Sequence, residues 1–366
     1  MVTDASGNVS FGGTAAMSSS FLRNRIINGD MRVDQRNAGA SVTLTTNGTY
    51  TLDRWICGLT QSSKFSVQQN AGAITPPVGF INYLGVTSLS AYSVVASDIF
   101  FVAHRIEGLN ISDLAWGTAN AATVTLSFWV RSSLTGTFGG SLQNSGASRS
   151  YPFTFTINAA NTWELKTITI AGDTSGTWLT TNGQGINVSF SIGSGATFSG
   201  TAGAWASANY TSATGATSVV GTSSATFYIT GVQLEVGTVA TPFERQIYSN
   251  QLAQCQRYYY RTTSPGTARA LGNGYVSSAT IADFTAPFPV TMRDEPSALE
   301  QTGTASNYTV VTGIGLVNCS AVPVYVASSQ WGAQIRFTVA SGLTTGQAVL
   351  ARTTVTGAYL GWSAEL

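Results

Sequence analysis

Charge is scarce in this sequence. Only 9% of its 366 residues are Asp, Glu, Lys or Arg, against about a quarter in an ordinary soluble domain. Seventeen basic and sixteen acidic residues leave a net charge of +1, which gives no electrostatic case for nucleic acid or an anionic membrane. Lysine is nearly missing: Lys64 and Lys166 stand alone, and the other cations are arginines. One histidine, His104, and three distant cysteines, Cys57, Cys255 and Cys319, make neither a zinc site nor a disulfide framework. The cysteines read as small buried thiols. Apolar runs are too short for a transmembrane helix. The opening residues, MVTDASGNVSFGG, lack the basic and apolar regions of a secretory signal. No nucleophile elbow, P-loop or dinucleotide fingerprint occurs.

What is present is a polar but uncharged chain with 43% hydrophobic residues and 39 glycines, too apolar for a disordered composition. Residues 1–22 carry no core-forming pattern and read as an extended segment that attaches to a partner. From residue 23 to 246, short alternating runs recur between turn signals. In TVTLSFWVRSS, Val124, Leu126, Phe128 and Val130 share one face; Thr125, Ser127, Trp129 and Arg131 share the other. YPFTFTINAA and INVSFSIGSG continue the pattern. Eight or more such strands predict an antiparallel jelly-roll β-sandwich. In FYITGVQLEV the apolar phase reverses around Gly231, which predicts a β-bulge there. SNQLAQCQRYYYR predicts a linking helix capped by Ser249 or Asn250. The charges just before it, Glu244 and Arg245, are expected to pair with one another and with Arg257 or Arg261. Strands return to the end of the chain, so residues 247–366 read as the helix followed by a smaller C-terminal β-sandwich. The whole is all-β.

Catalytic chemistry finds little to work with. His104 lies in the strand-like FFVAHRIEG and reads as structural. Asp30 and Asp34 alternate with Arg32 and Arg36, a spacing that suits ion pairing rather than an acid/base pair. Asp53, Asp98, Asp113 and Asp173 are isolated along the chain, so no calcium loop is visible. No catalytic residue, metal or cofactor is assigned. A sugar-binding face, by contrast, needs exposed rings and neutral hydrogen-bonding groups. Trp205 and Tyr210, in GAWASANYTSATGATS, are the leading candidates because that segment has no strand pattern; Trp116 and Trp178 follow. Trp55 and Trp129 are expected to be structural.

Four stretches carry a resemblance. RNRIINGDMRVDQRNAG with YTLDRW, then FYITGVQLEVGTVATPFERQIYSNQLAQCQRYYYR, then PFPVTMRDEPS, and finally AYLGWSAEL resemble, in that order, elements of bacteriophage tail-fibre and other virion fibre proteins. The region between about 60 and 225 matches no motif of theirs. The resemblance implies a carbohydrate-binding-like jelly roll on a virion, on a phage tail or capsid surface, usually as a homotrimer joined to other virion proteins through the N-terminal segment. The expected function is a tail-fibre or receptor-binding subunit that contacts a host surface glycan without catalysis. The alternative is an architectural capsid fibre or decoration subunit with no ligand; a polysaccharide depolymerase is disfavoured. No nucleic-acid partner and no membrane insertion are expected.

Overall fold

The computed structural model describes residues 22–366, together with the backbone of two short paired strands, β1 (Val2–Thr3) and β2 (Val9–Ser10). The expected attachment role of residues 1–22 falls largely outside the described residues. Strands are numbered along the chain.

The alternation read from the sequence builds two six-stranded antiparallel sheets. The first has the order β11 (Ser150–Ile157), β10 (Gly136–Asn144), β13 (Gln184–Ser194), β8 (Ile99–Glu107), β5 (Trp55–Leu59), β4 (Thr49–Tyr50). The second has the order β12 (Glu164–Ile170), β9 (Val124–Ser132), β16 (Thr226–Val236), β7 (Leu84–Ser88), β6 (Phe65–Gln69), β3 (Val42–Thr43). Their facing sides interdigitate as one core, in which Phe128 meets Phe190 edge-on at 4.9 Å and Phe155 at 5.0 Å. This is the jelly-roll sandwich. The bulge stands where the phase reverses: the β16–β9 register shifts between Thr230 and Gln233, and Gly231 has φ +61°. The loop that precedes the sheets is tied to it, with Val232 N donating to Gly29 O at 2.9 Å. A side chain at Gly29 would collide with the Val232 carbonyl, which accounts for the glycine of the NGD motif.

A short parallel pair, β14 (Ser199–Gly200) and β15 (Ser212–Ala213), lies against β10 and β13. The helix α1 (Tyr248–Gln256) follows the sandwich. Its N-cap position is Ile247, in extended backbone with no side-chain cap, so neither Ser249 nor Asn250 caps it as predicted. Beyond it, β17 (Tyr259–Thr263), β25 (Tyr359–Ser363) and β20 (Glu300–Gln301) form a small sheet. The remaining strands are β18 (Ala270–Ser278), β19 (Ile281–Pro287), β23 (Gly332–Val339), β22 (Gly315–Ser329), β21 (Tyr308–Thr312) and β24 (Ala348–Thr353). Where the sequence predicts two packed sheets, these six close into a barrel around a second apolar core. Closure follows from β24 pairing with both β18 and β21, while three register shifts bend the long β22.

The quoted motifs converge on the seam between sandwich and barrel. Arg54 is completely buried; its guanidinium binds the Glu365 carboxylate and the Arg105 carbonyl and lies 3.5 Å over the Tyr258 ring. Arg36 lies 3.5 Å over the Tyr259 ring and reaches Glu365 at 3.3 Å and Asp53 at 3.5 Å. Glu107 accepts from Arg257 Nη2 at 2.6 Å and from Tyr258 Oη at 2.5 Å. Gln251 of the helix donates to Asp30 at 2.7 Å, and Asp30 pairs with Arg32 at 2.6 Å. Arg293 donates to the carbonyls of Ala364 and Glu365 at 2.7 and 2.9 Å.

The pairing expected among Glu244, Arg245, Arg257 and Arg261 is therefore not the one formed. Glu235 accepts from Thr241 N and Oγ1 at 2.8 and 2.6 Å, and Glu244 from Asn24 N at 2.7 Å. Arg245 lies over the Phe80 ring and Arg261 over that of Tyr359. Each carboxylate ties down backbone that returns from elsewhere in the chain.

Candidate functional site

The outward phase of β9 places Ser127, Trp129 and Arg131 on the outer face of the second sheet, beside the outward Leu165 of β12. Two segments bank this face: the loop around Phe80, and the return through Thr241, Pro242 and Phe243 after β16. Between them lies a groove of about 410 Å³. Trp129 and Leu165 line it together with Gly231 at the bulge; Phe80 and Phe243, edge to face at 5.3 Å, form its aromatic wall. Leu165 is 54% exposed, while the rings of Phe80, Trp129 and Phe243 are half-buried. Arg245 stands at the rim, its guanidinium 4.7 Å over Phe80. Ser127 and Thr241 add hydroxyls to the lining. The bulge shapes this floor: a Cβ on Gly231 would come within 2.6 Å of the Phe80 ring and 3.2 Å of Trp129. The arrangement can hold a flat apolar face against rings while hydroxyls and a guanidinium bond at its edge.

The rings named from the sequence lie elsewhere. Trp116, Trp178 and Trp205 form an edge-to-face cluster with centroids 4.7–5.4 Å apart, and Tyr151 joins it at 5.2 Å from Trp205. Trp116 and Trp178 are 6% and 7% exposed, so the expectation that they stand free as stacking surfaces is corrected. Each indole N–H is spent on a loop carbonyl: Trp116 on Ala122 at 2.8 Å, Trp178 on Ser175 at 3.2 Å, Trp205 on Ala171 at 2.7 Å. The cluster pins loops to the end of the sandwich. Trp205 and Tyr210 are half-buried. Their segment is not a free loop; it lies across the outer face of the first sheet, bonded through Ser150–Ala206 backbone pairs and from Gln143 Nε2 to Asn209 at 2.8 Å. A side chain at Gly200 would meet the Tyr210 ring. Absence of strand alternation here reflects a chain packed on small polar side chains rather than an exposed one.

Trp129, expected to be structural, is the ring that the groove presents. The signal for it was available: its alternation phase is that of Ser127 and Arg131, opposite to the core. Phe80 and Phe243 had no such signal, since both lie outside strands.

Acid/base and metal chemistry also have places to be checked. His104 is buried, its Nε2 3.0 Å from the Ile27 carbonyl, and burial and then Arg54 hold its pKa well below the usual value. The isolated aspartates each have their own partners: Asp53 takes the Gln35 N–H, Asp98 the Tyr92 hydroxyl, Asp113 pairs with Arg25, and Asp173 with Arg149. Among the described residues no three of His, Cys, Asp and Glu gather as metal ligands. Cys57, Cys255 and Cys319 are free and buried. No helix among the described residues is long and apolar enough to cross a membrane.

No family model matches the chain, and no curated protein sequence does. Among solved structures the chain is similar to carbohydrate-binding modules and to a phage tailspike domain. A CBM4 structure overlaps 58% of this chain and 99% of its own at 12% identity and a TM-score of 0.30. The family 11 carbohydrate-binding module from Clostridium thermocellum, in complex with a β-1,3-1,4-mixed-linked tetrasaccharide, overlaps 56% of this chain and 100% of its own at 9% identity and a TM-score of 0.28. The enzymatically active domain of tailspike protein 4 from bacteriophage CBA120 overlaps 54% of this chain and 22% of its own, at 9% identity and a TM-score of 0.31.

Proposed function

We propose that this chain is a non-catalytic glycan-binding subunit of a phage fibre, and that the groove over Trp129 is where the glycan lies. The observation that carries the reading is the groove itself: Trp129 on the sheet, Phe80 and Phe243 on the two segments that bank it, hydroxyl groups in the lining, and one guanidinium at the rim. A sugar has the matching chemistry, an apolar C–H face with hydroxyls around it. The virion setting rests on the four motifs and their order. The absence of catalysis is supported by the state of buried carboxylates: Asp30, Glu107, Asp173 and Asp283 are bound to Arg32, Arg257, Arg149 and Arg336, and Asp98 and Glu235 are held by neutral donors. Homotrimer assembly and attachment through residues 1–22 belong to the same proposal.

The test is adsorption of the full chain to host cells and to extracted surface polysaccharide, for wild type and Trp129→Ala. Loss of a stacking ring lowers affinity by roughly tenfold. Undiminished adsorption by a folded Trp129→Ala protein would refute the assignment.

A second reading has one observation behind it. Val78, Ile81, Val239 and Ile247, in the two segments that bank the groove, are 102%, 72%, 72% and 67% exposed, and exposed apolar clusters mark contact surfaces. In that reading the groove packs against another copy, and the subunit is architectural. Light scattering separates the two: charged substitutions at Val78 and Ile81 dissolve an assembly in the second case and leave it intact in the first.

A further inference from the structure

We infer that the barrel carries a second, independent saccharide subsite, on the hairpin of Trp331. It shares the ligand class of the proposed function but none of its residues. Trp331 is 67% exposed, and of the eight tryptophans, all among the described residues, it alone is more than half exposed. A ring this exposed is accessible to a ligand face.

The turn that carries the ring is tied down by its backbone. Gln330 and Trp331 form the two-residue turn between β22 and β23, closed by the Ser329–Gly332 pair. Trp331 N donates to Ser329 Oγ at 3.2 Å, and its carbonyl accepts from Phe288 N at 2.8 Å. The carbonyl of Gln330 accepts from Met292 N at 2.8 Å, and its side chain donates to the Arg293 carbonyl at 3.2 Å. The partner in these bonds is the PFPVTMR stretch singled out in the sequence, so that motif backs the hairpin.

Beside the ring lies an open hollow of about 340 Å³. Thr285, Ser328, Ser329 and Gln334 bring hydroxyls and an amide to it; Pro287 adds an apolar wall. None of the side chains lining it is charged. A neutral hollow with one exposed indole and several uncharged hydrogen-bonding groups suits a neutral sugar. It offers no cation for a phosphate or uronate and no anion for a basic peptide.

The experiment uses the full chain labelled with fluorotryptophan, with the Trp129 and Trp331 fluorine resonances assigned by single Phe replacements. The probes are cellotetraose, galactotetraose and chitotetraose at millimolar concentration. The expected result is a saturable shift of the Trp331 resonance with at least one probe. Affinity for that probe, read by calorimetry in the Trp129→Ala background, should be retained within about threefold in Trp331→Phe and fall roughly tenfold in Trp331→Ala, whose folding an exposed position leaves unchanged. A Trp331 resonance unmoved by all three sugars overturns the inference. So does one that shifts with protein concentration alone, since the face then belongs to a second copy. A shift at Trp129 without one at Trp331 sinks this subsite and leaves the proposed function standing; the reverse pattern does the opposite.

Discussion

Removing the carboxylate of Glu365 leaves Arg54 as a buried cation with no counter-charge. Burial, the largest single influence, would lower the Arg54 pKa; Glu365, with smaller help from Tyr258, Tyr50 and Cys255, outweighs it and holds the group firmly charged. The guanidinium is 0% exposed and its partner 4%, so water cannot take over when the pair is broken. Breaking a buried pair from one side costs about 3–5 kcal/mol. With unfolding entropy near 2.1 cal/mol/K per residue, 366 residues unfolding together carry roughly 0.77 kcal/mol/K. Glu365→Ala should therefore lower the melting temperature by about 4–7 °C in calorimetry. Arg54→Met in that background removes the stranded charge while keeping most of the volume. The double variant should recover most of the loss, because apolar replacement of a buried pair is often neutral. Two results would refute the reasoning: a melting change under about 1 °C for Glu365→Ala, or losses in the double variant that simply add.

Gly231→Val forces a β-branched residue to φ +61° and drives its Cβ to within 2.6 Å of the Phe80 ring, so stability should fall by roughly 2–6 kcal/mol; an unchanged urea midpoint would mean that the bulge tolerates side chains. His104, neutral in the fold because burial and Arg54 depress its pKa, contributes stability that is full above the unfolded value near 6.5 and is lost as pH falls below it. The stability gap between wild type and His104→Gln should thus shrink by about 2 kcal/mol from pH 7.5 to pH 5. Asp53, held up to about 7 by burial against the pull of Arg36, acts with the opposite sign, weakening the fold as pH rises from about 4 to 7; it does so in both proteins and cancels in the difference. A gap that stays constant in urea titrations would show that His104 takes up its proton in the folded protein as readily as in the unfolded chain.

Local chemistry was readable and remote chemistry was not. The alternation of Val124, Leu126, Phe128 and Val130 requires a half-buried strand whatever surrounds it, and the phase reversal at Gly231 has few causes other than a bulge. Trp129 could have been placed outward by the same rule. Glu365, the carboxylate shared by Arg36 and Arg54, could not, because it lies more than three hundred residues away and nothing in the local pattern specifies it. Barrel closure in the C-terminal unit was hidden for a related reason: six strands alternate alike in a sandwich and in a barrel, and only the β24–β21 and β24–β18 pairings decide between them. The segment around Trp205 misled because a chain lying flat on a sheet of Ser, Gly and Gln side chains needs small residues itself, so it looks like a loop.

The distance in sequence between Arg54 and Glu365 has a consequence in time. The last strand of the sandwich ends at Val236, so a nascent chain holds every strand of that unit long before the seam can form. Arg54 must then wait for a residue 311 positions later. At synthesis rates of about 5–20 residues per second, the wait lasts roughly 15–60 s. Over the last part of that interval, the roughly 6–26 s between Val236 and Glu365, the completed sandwich carries a cation at the place where its stability depends on a carboxylate, and it is weaker for it. Translation past residue 365 is the event that ends it, making maturation of the first unit a late and single step rather than a gradual one.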